Sequence, residues 1–334
     1  MPLTIAEGEP LVLHLEFPAE WPQPRNPLAE PAAAWARTFL TDFGFPHHPA
    51  AARQLERLNI ASYAWPFFAA DRQVLCTVTA FLSLWALYEE EIAAVGEDDE
   101  AALICAVRGD GTRPLNRFHA AFWELGQRYY KRLGRTFLSR HGERFRAWLQ
   151  TARAGYGDRA AATLPILDFL ELDLGEELGS ELWRDPRLAT VERLAAEVIA
   201  LQDDLASFLR QPEDARPNAV RRLQEEEGEN PAEACIRIAL RHNGLVRDLD
   251  RTGRALIADH RVPRLGSWWI RLAGLVAGFG RRHADRGCGP ASIGGRRIRL
   301  THEEPSGGNS YDPSAITTAT WWRPTSMSAL SASA

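Results

Sequence analysis

Apolar residues recur at three- and four-residue spacing through most of this 334-residue chain, and no segment sustains the two-residue alternation of a half-buried strand. The pattern predicts helices over 32–43, 50–58, 71–95, 117–133, 143–154, 166–172, 186–210, 231–259 and 265–283. Helices in such number must bury their apolar stripes against one another, so the expected fold class is all-α, a helical bundle. The proline-rich stretch 1–30 reads as an irregular arm across the body, 31–286 as the helical domain, and the Gly-, Pro-, Ser- and Thr-rich stretch 287–334 as a disordered tail. Val95-Gly96 and the acidic run Glu97 to Glu100 read as a solvated loop or a helix start.

Composition narrows the function. Hydrophobic residues make up 45% of the chain, enough for a substantial core, and a formal net charge of −5 argues against a nucleic-acid partner, which favours a basic face. Lys131 is the only lysine among 39 basic residues, so positive charge is carried by guanidinium groups. Cys76, Cys105, Cys235 and Cys288 show no metal-ligand spacing. With no basic-then-apolar leader and no apolar run of about eighteen residues, no membrane span is expected, and the protein is predicted to be soluble and cytoplasmic.

The stretch VIALQDDLASFLRQ, residues 198–211, sets Asp203, Ser207 and Gln211 four residues apart. Side chains at that spacing stack on one helix face, here three oxygen donors in line. Hard cations such as Mg²⁺ take oxygen ligands, commonly one or two carboxylates completed by substrate phosphates and water. A solvated helix edge gives the same pattern, so neighbouring segments decide.

DDLASFLRQ resembles the second metal motif of class I terpene synthases, (N/D)Dxx(S/T)xxxE, through Asp203, Asp204 and Ser207, with Arg210 where a basic residue is usual. Gln211 replaces the closing glutamate and Pro212 follows it. Further segments resemble bacterial members in the family's order: NPLAEPAAAWARTFLTDFGF, the long stretch ending in WALYEEE, RPLNRFHAAFWELGQR, RFRAWL, LPILDFLEL and RPNAV, together spanning roughly residues 20 to 285. Laying the family's DDxxD/E on WALYE puts Trp85 and Ala86 at the leading aspartates and leaves Glu89, with Glu90 beside it. Where members carry a diphosphate-sensing arginine, FLELDLGEELG offers Asp173, Glu176 and Glu177, and Arg282-His283 stands where they have Arg-Tyr.

The resemblance implies a bundle around a central cavity and Mg²⁺-dependent ionisation and cyclisation of an isoprenyl diphosphate, with release of diphosphate. It implies Glu89, Glu90, Asp203, Ser207 and Gln211 as metal ligands and Arg282, Trp85 and Tyr88 as catalytic residues. Tyr63, Trp65, Phe67, Phe68, Phe81, Trp85, Tyr88, Trp268 and Trp269 are its candidate cavity rings, able to steady a carbocation, and Trp85 also fills volume that an aspartate would leave to metal and diphosphate. A homodimer is a possible assembly. Two other readings stand beside this one: an inactive terpene-synthase fold used for binding, and an unrelated helical protein.

Overall fold

A computed structural model of the chain describes residues 11–22, 25–45, 60–91, 97–110, 116–130, 132–153, 159–210, 218–285, 291–293 and 296–302. In order these form β1 (Leu11–Leu15), α1 (Ala29–Asp42), α2 (Ala61–Ala64), α3 (Arg72–Glu91), α4 (Glu97–Val107), α5 (Arg117–Tyr130) and α6 (Arg135–Arg153). Then come α7 (Arg159–Leu174), α8 (Ser180–Trp183), α9 (Pro186–Arg210), α10 (Ala219–Glu227), α11 (Pro231–His260), α12 (Pro263–Asp285), β2 (Ala291–Ile293) and β3 (Arg296–His302). The all-α expectation holds, with helices packing mainly as α9 on α7, α11 and α12, α1 on α3, α6 on α7, and α4 on α5.

Local chemistry sets the boundaries of the best-defined helices. Asp185 Oδ1 accepts from the Arg187 amide at 2.8 Å ahead of α9, and Pro186, which has no N–H to leave unsatisfied, opens it. Asn230 caps α11 through the Ala232 and Glu233 amides, with Pro231 following, and Arg261 closes the helix in the left-handed region at φ 48°. Asn218 caps α10, and Gly228 ends it at φ 68°, a conformation without penalty for a residue lacking Cβ.

Several elements differ from the sequence expectation. α6 and α7 each begin about two turns early, at Arg135 and Arg159, and Pro165 lies inside α7. α4 begins at Glu97, the helix start foreseen for the acidic run. The helix expected over 50–58 and the end of the one expected over 71–95 lie outside the described residues, as do Gln211, Pro212 and Cys288. The strands were not expected at all. β1 pairs parallel with β3 from Leu11 opposite Ile298 to Leu15 opposite His302, and β2 lies antiparallel on the far side of β3. Residues 291–293 and 296–302 are therefore strand where a disordered tail was expected, and residues from 303 on lie outside the description. The five-residue alternation of Leu11, Leu13 and Leu15 is too short to stand out. What makes it a strand is its distant partner and the burial of Leu13, Leu15, Ile298 and Leu300 against Leu205 and Phe208 of α9 and Ile238 of α11. Asn243 fastens β1 to α11, accepting from Glu16 N at 3.1 Å and donating to His14 O at 3.0 Å.

The segment between β1 and α1 lies across the body. Trp21 is buried, donates from Nε1 to Asp250 at 2.9 Å and meets Trp269 edge to face. Asn26, also buried, donates to the carbonyls of Phe67 and Ala70 and so ties the arm to the turn before α3.

Candidate active site

The second-motif residues occupy the last two turns of α9. Asp203 is half exposed, with a carboxylate oxygen 2.9 Å from Arg159 Nη2 on α7 and the other 3.9 Å from His283 Nε2 on α12. Desolvation would raise its pKa, but the charge of Arg159, followed by those of His283, Arg210 and Arg282, holds it down at about 2, so it is ionised at neutral pH. Asp204 is buried and points elsewhere. Its Oδ1 lies 3.0 Å from Arg159 Nε and its Oδ2 accepts from the Ala219 amide at 3.0 Å. Burial, with Asp203 beside it, pushes its pKa up to about 6 in spite of Arg159. Ser207 donates its hydroxyl proton to the Asp204 carbonyl, which leaves its oxygen lone pairs available.

The first-motif segment is arranged differently. Trp85 is 6% exposed, and its ring stands 6.0, 5.6 and 4.8 Å from those of Phe81, Phe145 and Trp148. Tyr88 is equally buried, edge-on to Phe118 and Phe122. Both rings belong to an aromatic core shared by α3, α5, α6 and α7, so an aspartate at position 85 would enter that core. Glu89 is half buried, and the Glu90 side chain lies outside the described residues.

The acids found in place of the sensing arginine have structural partners. Asp173 pairs with Arg271 of α12 at 2.9 Å, Glu176 with Arg264 at 2.8 Å, and Glu177 accepts from the Gly134 amide at 2.8 Å. Deeper in α7, Asp168 and Glu171 are buried, and their partners come from other helices. Arg144 donates to Asp168 at 2.7 Å and grips Glu192 of α9 with both terminal nitrogens, at 3.0 and 2.7 Å. Arg140 pairs with Glu171 and lies over the Trp183 ring, while His141 Nδ1 is 3.0 Å from Asp168. Arg140 and Arg144 sit four apart on α6, one helical face meeting Asp168 and Glu171 three apart on α7. That pairing of faces is the signal that could have found the cluster.

Arg282, at the predicted Arg-His pair, is buried at the end of α12, donates from Nε to Ser62 at 2.9 Å and lies 4.2 Å over the Tyr63 ring. Burial lowers its pKa, Tyr63 and Asp203 pull it back up, and Arg210 opposes them. Arg159, Arg210, Arg282 and His283 thus surround one ionised carboxylate, a balance that suits a polyanion. Among the described residues no group of three or more His, Cys, Asp or Glu side chains converges to hold a metal ion. The donors present therefore fit an ion that brings oxygens with it, one carboxylate completed by phosphate and water, and do not fit a cage made of protein alone. Sequence reasoning missed Arg159 and Ser62; the unmatched Asp203-Asp204 pair was the one hint that a cation had to come from another helix.

Residues 156–248 match the family described as terpene synthase family 2, C-terminal metal binding. No curated protein matches the chain in sequence. Among solved structures, hedycaryol synthase in complex with HEPES aligns with TM-score 0.70 and 20% identity over 81% of this chain and 98% of its own. Linalool/nerolidol synthase from Streptomyces clavuligerus aligns with TM-score 0.70 and 16% identity over 80% and 99%, and germacradien-4-ol synthase from Streptomyces citricolor with 0.67 and 16% over 80% and 97%. No described helix is long and apolar enough to cross a membrane. The chain therefore shares the helical fold of these synthases, and over residues 156–248 it matches the terpene synthase family's metal-binding model.

Proposed function

We propose that this protein is a terpene synthase that ionises a linear isoprenyl diphosphate, releases diphosphate and cyclises the cation. The observation that carries the reading is the Asp203 locus, one ionised carboxylate ringed by Arg159, Arg210, Arg282 and His283 at the ends of α9 and α12. Ionising an allylic diphosphate separates a carbocation from a polyanion, and fixed positive charge where the polyanion sits lowers that barrier. Arg282, held by Ser62 and stacked on Tyr63, is oriented before substrate arrives. Arg159, tied to Asp203 and Asp204, can turn its fork to a phosphate oxygen. Trp85 and Tyr88, fixed in the aromatic core, are proposed as the wall that excludes water and offers ring faces to the cation.

Mg²⁺ is the proposed metal, with Asp203 as its principal protein ligand and Ser207, Gln211, Glu89 and Glu90 as further donors, and it would supply neutralisation of the departing diphosphate. The assembly as a homodimer and a cytoplasmic location belong to the same reading. The test incubates the full chain with C10, C15 and C20 isoprenyl diphosphates with and without Mg²⁺, measuring inorganic diphosphate and the hydrocarbons extracted. Metal-dependent release is expected, reduced at least about tenfold by Asp203→Asn, the scale on which a metal-site group acts. Absence of release at every chain length, or release indifferent to Asp203→Asn, refutes the proposal.

A further inference from the structure

Asp203 and Asp204 are consecutive on α9, so their side chains diverge by about 100° around the helix axis. Asp203 reaches toward His283 of α12, whereas Asp204 lines a groove on another side of α9, bounded by α7, α10 and α11. The groove has a volume of about 550 Å³ and contains five guanidinium groups, those of Arg144, Arg159, Arg193, Arg222 and Arg241. Its acids are Glu192, Glu197 and Asp204, two charges short of balance. The imbalance is local. Glu192 is taken by Arg144 and Asp204 by Arg159, which leaves Glu197 shared between Arg193 at 3.6 Å and Arg241. Arg222 has no ion pair among the described residues. Arg193 and Arg241 thus share one carboxylate, and Arg222, whose charge acts on Asp204, lines the same groove together with Ala160, Ala189 and Ala200.

We infer that this groove is a binding site for a small soluble phosphate-bearing anion, separate from the Asp203 locus and held chiefly by Arg222, Arg241 and Arg193. Planar guanidinium forks match tetrahedral phosphate oxygens in pairs, and the small alanine side chains of the lining leave room for the body of a phosphate monoester. Arg159 belongs to both places: its Nη2 holds Asp203 while its Nε lines the groove beside Asp204. An anion in the groove therefore competes with Asp203 for one guanidinium. The binding itself does not depend on the proposed cyclase activity.

The test uses the full chain and inorganic phosphate in metal-free buffer, followed by calorimetry and ³¹P NMR. One equivalent is expected to bind saturably, with affinity falling at least tenfold in Arg222→Ala and in Arg241→Ala. Arg222→Lys, which keeps the charge at an exposed position, is expected to retain most of it, so a loss confined to the alanine forms is not a folding defect. Arg282→Ala, at the other locus, is expected to leave binding intact. Binding that vanishes in Arg282→Ala but survives Arg222→Ala places the anion at the Asp203 locus and overturns the inference, as does failure to saturate. Sedimentation with phosphatidate-containing vesicles that is lost in Arg222→Ala would identify a lipid headgroup and overturn the assignment to a soluble anion.

Discussion

Replacing Arg144 by leucine tests whether the buried ion cluster holds the helices that present Asp203. The guanidinium is 14% exposed and makes three contacts of 2.7 to 3.0 Å with Asp168, which is fully buried, and Glu192, which is nearly so. Without it Asp168 keeps His141 and Arg140, whereas Glu192 loses the partner that offsets the cost of its burial. Removing one member of a buried pair costs roughly 3–5 kcal/mol, because the remaining charge stays desolvated. With two partners left to Asp168, the lower figure, about 3 kcal/mol, is expected here. The assay is urea unfolding followed by tryptophan fluorescence, with the midpoint moving and the slope unchanged. Arg237→Leu serves as the control, since Arg237 pairs with Glu227 and Glu229 at the water-exposed surface and its loss should move the midpoint far less. Adding Glu192→Leu to Arg144→Leu should recover part of the loss by removing the stranded carboxylate. A change below about 1 kcal/mol in Arg144→Leu, no larger than that of the exposed control, would show that the cluster is not what clamps α6, α7 and α9.

Two further expectations concern stability. Burial raises Glu171 to about 7 and Asp173 and Asp204 to about 6, from ordinary values of 4.5 and 3.8, so the folded state keeps protons that the unfolded chain has released. Their contribution is complete below the ordinary values and disappears as pH rises through 6 and 7; His119, lowered by burial, acts in the opposite sense but is a single group. Stability should therefore be lower at pH 7.5 than at pH 5, with a smaller drop in Glu171→Gln, and a rise over that interval would contradict the burial argument. In α11, a methyl group at Gly253 would come within 2.1 Å of the Trp269 ring, while one at Gly244 would meet nothing within 4 Å. Gly253→Ala should lower the melting temperature, overpacking of about 1–3 kcal/mol outweighing a helix gain of up to about 1, and Gly244→Ala should raise it.

Where a signal was local, the sequence carried it. α9 could be read residue for residue because Pro186 opens it, an apolar stripe runs its length and Pro212 follows it. α11 could be read from Pro231 for the same reason. α10, AVRRLQEEE, has too little apolar content to show a period, and it is made a helix by the Asn218 cap and by packing on α11. The Asp203 motif was legible because its members are four residues apart, and Arg210 follows on the same helix; Arg159, the cation that acts most strongly on Asp203, comes from α7, and no spacing along the chain announces it. The linear alignment places Trp85 at a metal-site position, and the packing of α6 adds what no alignment carries, that the ring sits within the aromatic core.

The parallel pairing of β1 with β3 has a consequence for how the chain acquires its structure. Leu11 must wait for Ile298, so β1 leaves the ribosome early and stays without a partner until nearly all the helices have been made. Closing so long a loop costs little more than closing one of half the length, about 0.6 kcal/mol per doubling, so the delay is kinetic rather than energetic. During that interval the apolar face of LVLHL and the Leu205–Phe208 side of α9 are both uncovered, and β1 presents a bare edge to other chains. Synthesis rate and crowding by neighbouring nascent chains are then the conditions under which this protein is most exposed to misassembly, before the apolar side of α9, the helix that carries Asp203, has been covered.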